Sequence, residues 1–300
     1  MPRSLAAGRR RAYLAWFAVC LIWGTTYLAI RISLETIPPL LMAAFRWIAA
    51  GGLLVLLLAL RGERLPPRRE WPALAVLGVL LLGFGNGAVV WAEQTVPSGL
   101  TAVLVATSPF WMVGFDALMP DGEAITVRRL LGLAVGFSGI VMLVWPELRF
   151  DGTGGGFLAG VLAAQIACAG WAIGSSYARK RGRGHASDEN VLATAAFEML
   201  FGGVALGVVS LALREPARLT FTPRTGGALA YLIFVGAIGG FSAYAYALKH
   251  LPVATVSLYA YINPIIAVVL GTLVLQEPFN ARMLLAALVV FIGIALVRSD

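Results

Sequence analysis

Long uninterrupted apolar runs dominate this chain, and polar or charged residues come in short clusters between them. A helix needs about 20 apolar residues to cross about 30 Å of hydrocarbon. Runs of that length, cut by charged or Pro/Gly-containing breaks, predict ten membrane helices at 12–33, 39–60, 71–94, 97–118, 127–146, 155–179, 189–213, 226–249, 252–275 and 281–298. Helices apolar on all sides are what lipid demands, because every backbone polar group must be satisfied within its own segment. The connections are short, so function is expected inside the bundle. Arg9, Arg10 and Arg11 ahead of the first run resemble a signal-peptide start. That run is too long for a signal h-region and lacks a small-residue cleavage site, so it reads as a retained first span.

Composition supports the same class. The chain has 300 residues, 59% hydrophobic and 13% charged, with mean hydropathy +0.84. Soluble domains carry about 45–50% apolar and about 25% charged residues. Too little polar surface remains here to cover a globule in water. The net charge of +8 does not mark a nucleic-acid binder, since the positive residues cluster between apolar runs, as in cytoplasmic loops. Of the 23 lysines and arginines, 16 fall on the N-terminal side of the predicted spans, six on the other, and Arg46 within a span. Both termini are therefore expected in the cytoplasm, although the 214–224 loop carries three arginines on the opposite side. Cys20 and Cys168 lie in apolar stretches and form neither a disulfide framework nor a zinc-type spacing.

The chain repeats itself. Cys20-Leu21-Ile22-Trp23-Gly24-Thr25-Thr26-Tyr27 in span 1 answers Cys168-Ala169-Gly170-Trp171 and Gly174-Ser175-Ser176-Tyr177 in span 6. Ala43-Ala44-Phe45-Arg46 answers Ala195-Ala196-Phe197-Glu198. Val96-Pro97 and Ser108-Pro109 return as Leu251-Pro252 and Asn263-Pro264, and Glu123 with Arg128 returns as Glu277 with Arg282. The repeats are expected at 12–146 and 155–298. Five spans per repeat is an odd number, so the second copy enters the membrane upside down. Inverted repeats are a recurring design of secondary transporters, with the site near the midplane at the repeat interface. The alternative is a duplication retained for bundle stability alone.

The Trp23–Tyr27 segment, Arg46, the Ser108-Pro109 and Asn263-Pro264 pairs, and Glu123 and Glu277 resemble EamA domains. Two such domains in ten spans characterise the drug/metabolite transporter superfamily, and the resemblance covers about residues 12 to 298. It implies an all-α, multi-pass exporter of the bacterial inner (cytoplasmic) membrane, most similar to the family's amino-acid exporters, including those for aromatic amino acids. The expected partners are a small-molecule substrate and the lipid bilayer, with a monomer the expected state. Efflux of drugs or other metabolites by the same fold is the competing reading. A lipid-modifying enzyme or a passive channel lies further off.

Four ionisable residues fall within predicted spans. Glu93 and Asp116 are near enough to span ends to snorkel. Arg46 and Glu198 sit deeper at equivalent places with opposite sign, where they either contact substrate, carry a coupling proton or fix helix packing. Pro109 and Pro264 leave the carbonyls of Val105 and Ala260 short of a donor, so spans 4 and 9 are candidate gate helices or statically kinked ones. Candidate cavity residues are Trp23 and Tyr27 in span 1, Asn86 and Val90 beside Glu93 in span 3, and Trp111 in span 4. Gln165, Trp171 and Ser175 in span 6, Tyr244 in span 8, and Ser257 and Tyr261 in span 9 complete the set. A zwitterion with a variable side chain suits an aromatic pocket with a few hydrogen-bonding groups. Tyr13, Trp16, Trp71 and Trp145 lie near span ends and read as interfacial belt residues. His185 and His250 are far apart, and no zinc-protease, nucleophile-elbow or phosphate-loop motif occurs, so neither enzyme activity, metal nor cofactor is expected.

Overall fold

The computed structural model describes residues 2–118, 126–145, 155–182 and 190–298, and no strand occurs among them. Glu123, His185 and the side chain of Asp116 lie outside the described residues. The helices in chain order are α1 (Pro2–Ser33), α2 (Pro39–Leu60) and α3 (Arg68–Ala92). Next come α4, in two pieces (Ser98–Val105 and Ser108–Ala117), α5 (Val127–Val144), α6 (Gly155–Gly182) and α7 (Val191–Ala212). Then follow α8 (Pro223–His250), a single turn Val253–Val256 leading into α9 (Tyr259–Leu275), and α10 (Ala281–Arg298). Among the described residues, seven helices are long and apolar enough to cross a membrane, while α9 and α10 are shorter apolar helices. Exposed apolar side chains such as Leu56 on α2, Val208 on α7 and Ile292 on α10 turn outward, as a lipid-facing surface requires.

A helix leaves its first backbone N–H groups without intrahelical partners. Where the flanking residue can cap, it does. Thr126 accepts from the Arg129 amide, Asn190 accepts from those of Leu192 and Ala193, and Thr222 with Thr225 forms a capping box. Helices α2 and α4 instead follow Pro38 and Pro97, which have no capping side chain. Carboxylates from the other half of the chain take over. Glu215 accepts from the amide of Leu41 at 2.8 Å and from Ser210 Oγ at 2.9 Å. Glu277 accepts from the amides of Ser98 and Gly99 at 2.8 and 3.2 Å. Glu63, at the place equivalent to Glu215, accepts from Asn190 Nδ2 at 3.4 Å.

The packing pairs recur when α1–α5 are exchanged for α6–α10. Helix α1 packs on α8 and α9 as α6 packs on α3 and α4, and α2 meets α8 as α7 meets α3. Helices α2 and α7, α4 and α9, and α5 and α10 meet their own counterparts. The α2–α7 contact is close because glycine lines it from both sides. A Cβ on Gly51 would stand 2.7 Å from the Ala196 carbonyl oxygen, and one on Gly203 would stand 2.8 Å from the Ile48 amide. Even the irregularities match: Gly78–Asn86 in α3 and Leu232–Gly239 in α8 are both π-helical. Such widened turns often mark functional sites.

Candidate functional site

Helix α1 supplies two aromatic residues on one face, Trp23 and Tyr27, one turn apart. Between them, Thr25 and Thr26 donate back to the carbonyls of Ile22 and Trp23 at 2.7 Å each, which satisfies their hydroxyls within the helix. Thr25 also meets the Tyr231 hydroxyl of α8 at 2.5 Å. Trp23 Nε1 donates to the Gly236 carbonyl at 3.1 Å, inside the π-helical stretch of α8. The Trp23 ring packs against Phe241 (5.3 Å), Tyr244 (5.2 Å) and Tyr259 (4.9 Å). Glycine makes this possible, since a Cβ on Gly240 would stand 2.4 Å from Trp23 Nε1. The equivalent Trp171 seats on Gly85 in the same way, at 2.6 Å.

Two charged residues are buried in the bundle, Arg46 beside this aromatic wall and Glu93 at the end of α3. Arg46 on α2 is 3% exposed and Glu93 at the end of α3 is fully buried. The Arg46 guanidinium stands over the Trp47 ring at 4.2 Å, and Trp47 in turn donates to Asn86 Oδ1 at 3.2 Å. Neither Nε nor Nη1 of Arg46, nor either carboxylate oxygen of Glu93, has a hydrogen-bond partner. Glu93 is attracted by Arg46 and Arg31 and repelled by Glu277, and the Tyr27 hydroxyl lies in electrostatic range of Glu93 and Arg46. Arg31 donates through Nη1 to the backbone carbonyl of Glu93, closing the end of α3. A cavity lined by Arg31, Glu35, Pro97, Leu275 and Glu277 adjoins this end.

A second polar cluster occupies the break in α4. The helix interrupts at Ala106-Thr107, and Pro109 is the second residue of the next piece, where its missing N–H costs little. The Val105 carbonyl accepts from Ser108 Oγ at 2.6 Å, so the group expected to lack a partner has one. Gln165 Oε1 accepts from Trp111 Nε1 at 2.9 Å and Thr107 Oγ1 at 3.2 Å, while its Nε2 is buried without a partner. Pro264 lies inside α9. With its amide nitrogen turned inward, Asn263 donates to the carbonyls of Cys20 and Tyr259, each at 3.0 Å.

The structure thus connects Trp23, Tyr244, Arg46 and Asn86 through Phe241 and Trp47, and pairs Trp111 with Gln165 at the α4 break. Trp171 and Ser175 are half-buried one turn apart on α6, and Ser257 is half-buried at the start of the α9 break. Val90 is buried in the apolar core with Trp47 rather than facing polar groups. Tyr261 turns to Phe291 on α10 at 6.3 Å, away from the Trp23 wall. Glu198 is half-buried on α7. Sequence reasoning missed Tyr259, Phe241 and Trp47. The interruption at Ser257-Leu258 rotates the face of α9, so Tyr259 rather than Tyr261 meets α1. Tyr13, Trp71 and Trp145 are exposed, whereas Trp16 donates to the Val256 carbonyl at 3.2 Å just before that break.

Comparison with known proteins gives a consistent picture. The EamA-like transporter family matches residues 10–145 and 158–299. The "Uncharacterized inner membrane transporter YedA" of Escherichia coli (strain K12) is 41% identical over 263 residues, covering 86% of this chain and 81% of that protein. "Protein PecM" of Dickeya dadantii (strain 3937) is 26% identical over 95% of this chain and 91% of its own length. A "Probable amino-acid metabolite efflux pump" of Escherichia coli (strain K12) is 22% identical over 92% of this chain and 91% of its own. One crystal structure shares the fold, with a TM-score of 0.63, 22% identity and 96% coverage of both chains. On the strength of both matched segments, which together span most of its length, the chain belongs to the EamA-like transporter family.

Proposed function

We propose that this membrane transporter exports amino acids, aromatic ones included, across the bacterial inner membrane by alternating access. In this reading all ten helices span the bilayer as two inverted repeats, 12–146 and 155–298, with both termini in the cytoplasm. The observation that carries it is the exchange of packing pairs between α1–α5 and α6–α10, with the buried aromatic and charged groups on the seam. Trp23, Tyr27, Arg46 and Glu93 come from the first half, and Tyr244 and Tyr259 from the second. A site at a repeat interface opens to either side as one half rocks against the other. Pro109 and Pro264 then act as hinge points of the two broken helices, α4 and α9. The amino-acid assignment is supported by the aromatic wall beside a few polar groups, and by the name of one distant relative.

Counterflow into liposomes holding the purified protein tests this reading. Saturable exchange of labelled phenylalanine or another common amino acid is the expected result. Exchange of drugs or other metabolites with no amino-acid flux overturns the substrate assignment. Unsaturable leak, or recovery of a chemically altered substrate, overturns the carrier mechanism.

A further inference from the structure

An intramembrane charge without a partner is costly, and such residues are retained where they serve a ligand, an ion or a proton. Arg46 and Glu93 are both more than nine-tenths buried, and each keeps side-chain N–H groups or oxygens unbonded. Their charges are opposite, yet they do not hydrogen-bond to one another. Arg31, the other cation near Glu93, directs Nη1 to the backbone carbonyl and leaves both carboxylate oxygens unbonded. A rigid packing device would join the two charges directly. This pair instead presents one unsatisfied donor group, set over the Trp47 ring, and one unsatisfied acceptor group.

We infer that Arg46 and Glu93 bind the two charged ends of an α-amino acid, its carboxylate on Arg46 and its ammonium on Glu93. The inference rests on the reading of the chain as an amino-acid transporter. A carboxylate gains charge-assisted bonds from guanidinium N–H groups, and an ammonium gains them from a carboxylate acceptor. In a low-dielectric site such bonds are strong, and a ligand lacking either end leaves one buried charge unpaired. The substrate side chain lies against the wall of Trp23 and Tyr259, where a ring replaces ring-to-ring contact. Selection for the zwitterion therefore comes from the charges, and breadth over side chains comes from the aromatic surface.

The test uses the full-length protein in liposomes and three probes of one shape: phenylalanine, 3-phenylpropionate without the ammonium, and phenethylamine without the carboxylate. For wild type, each half-analogue should compete with phenylalanine about tenfold or more weakly. Glu93→Gln should lose phenylalanine affinity by about tenfold while ceasing to discriminate against 3-phenylpropionate. Arg46→Gln should do the same toward phenethylamine. Equal loss of all three probes in both variants, or unchanged discrimination, overturns the inference while leaving amino-acid transport standing. Absence of flux for every common amino acid in wild type instead overturns the transport reading itself. Should either variant fail to fold, wild-type discrimination decides, and half-analogues that compete as well as phenylalanine overturn the pairing.

Discussion

Glu277 holds Ser98 twice, accepting from its backbone amide at 2.8 Å and from its hydroxyl at 3.0 Å. The two residues lie in opposite halves of the chain, so one carboxylate both caps a helix and ties the halves together. Pro97 has no side chain that could supply that cap. Glu277→Ala should therefore cost about 1–3 kcal/mol of stability, read as a lowered melting temperature in detergent. Glu277→Gln, which keeps one acceptor oxygen, should lose less. Equal stability of all three proteins would show that the cap is dispensable.

The α2–α7 seam gives a second expectation. Gly51 meets backbone of α7 at a distance that no Cβ tolerates, whereas a Cβ on its neighbour Gly52 would have ordinary contact at 3.9 Å with Leu200. Gly51→Ala should destabilise by about 1–3 kcal/mol, and Gly52→Ala should be neutral or stabilising by up to about 1 kcal/mol. The comparison of melting curves for the pair isolates close helix approach from helix propensity.

The two proline positions differ in kind. Pro264 is inside α9, whereas Pro109 begins the second piece of α4 and the Val105 carbonyl already has a donor. A helix-interior proline costs roughly 3 kcal/mol that neighbouring contacts must offset. Pro264→Ala should stabilise the protein and slow transport, while Pro109→Ala should change stability by less than about 1 kcal/mol. If the pair are hinges, both variants should slow counterflow and bias the protein toward opposite faces. Wild-type rates in both would identify the kinks as packing features.

Orientation is open to direct measurement. Arg64 and Arg218 are exposed in connections on opposite sides of the proposed topology. The native cysteines are buried and should not react. A membrane-impermeant maleimide added to intact cells should label Arg218→Cys and spare Arg64→Cys until the membrane is broken. Labelling of both from outside contradicts the assignment.

Much of this architecture is legible in the sequence, because lipid makes apolar length a reliable signal and duplication writes the second half in the register of the first. Arg46, Trp23 and Tyr27 are visible as a rare charge and aromatic residues in mid-span, whereas Glu93, expected to snorkel from a span end, is instead fully buried, because Arg31 closes that end of α3. What stays hidden depends on departures from the regular helix. The π-helical stretches in α3 and α8 and the break before Tyr259 change which faces meet, so Tyr259 enters the site and Tyr261 leaves it. The capping of α2 and α4 by Glu215 and Glu277 joins residues more than 170 positions apart. No local pattern announces it.

Alternating access is the central claim, and reciprocal accessibility tests it most directly. Leu275→Cys places a reactive thiol in the wall of the cavity beside Arg31 and Glu277, and Ser257→Cys places one at the break near the other end of α9. Each variant, whose native cysteines are buried, is labelled in membranes with and without saturating phenylalanine. The account predicts that phenylalanine shifts the two labelling rates in opposite directions, one end closing as the other opens. Two rates that rise or fall together, or that do not respond to the substrate, would contradict it.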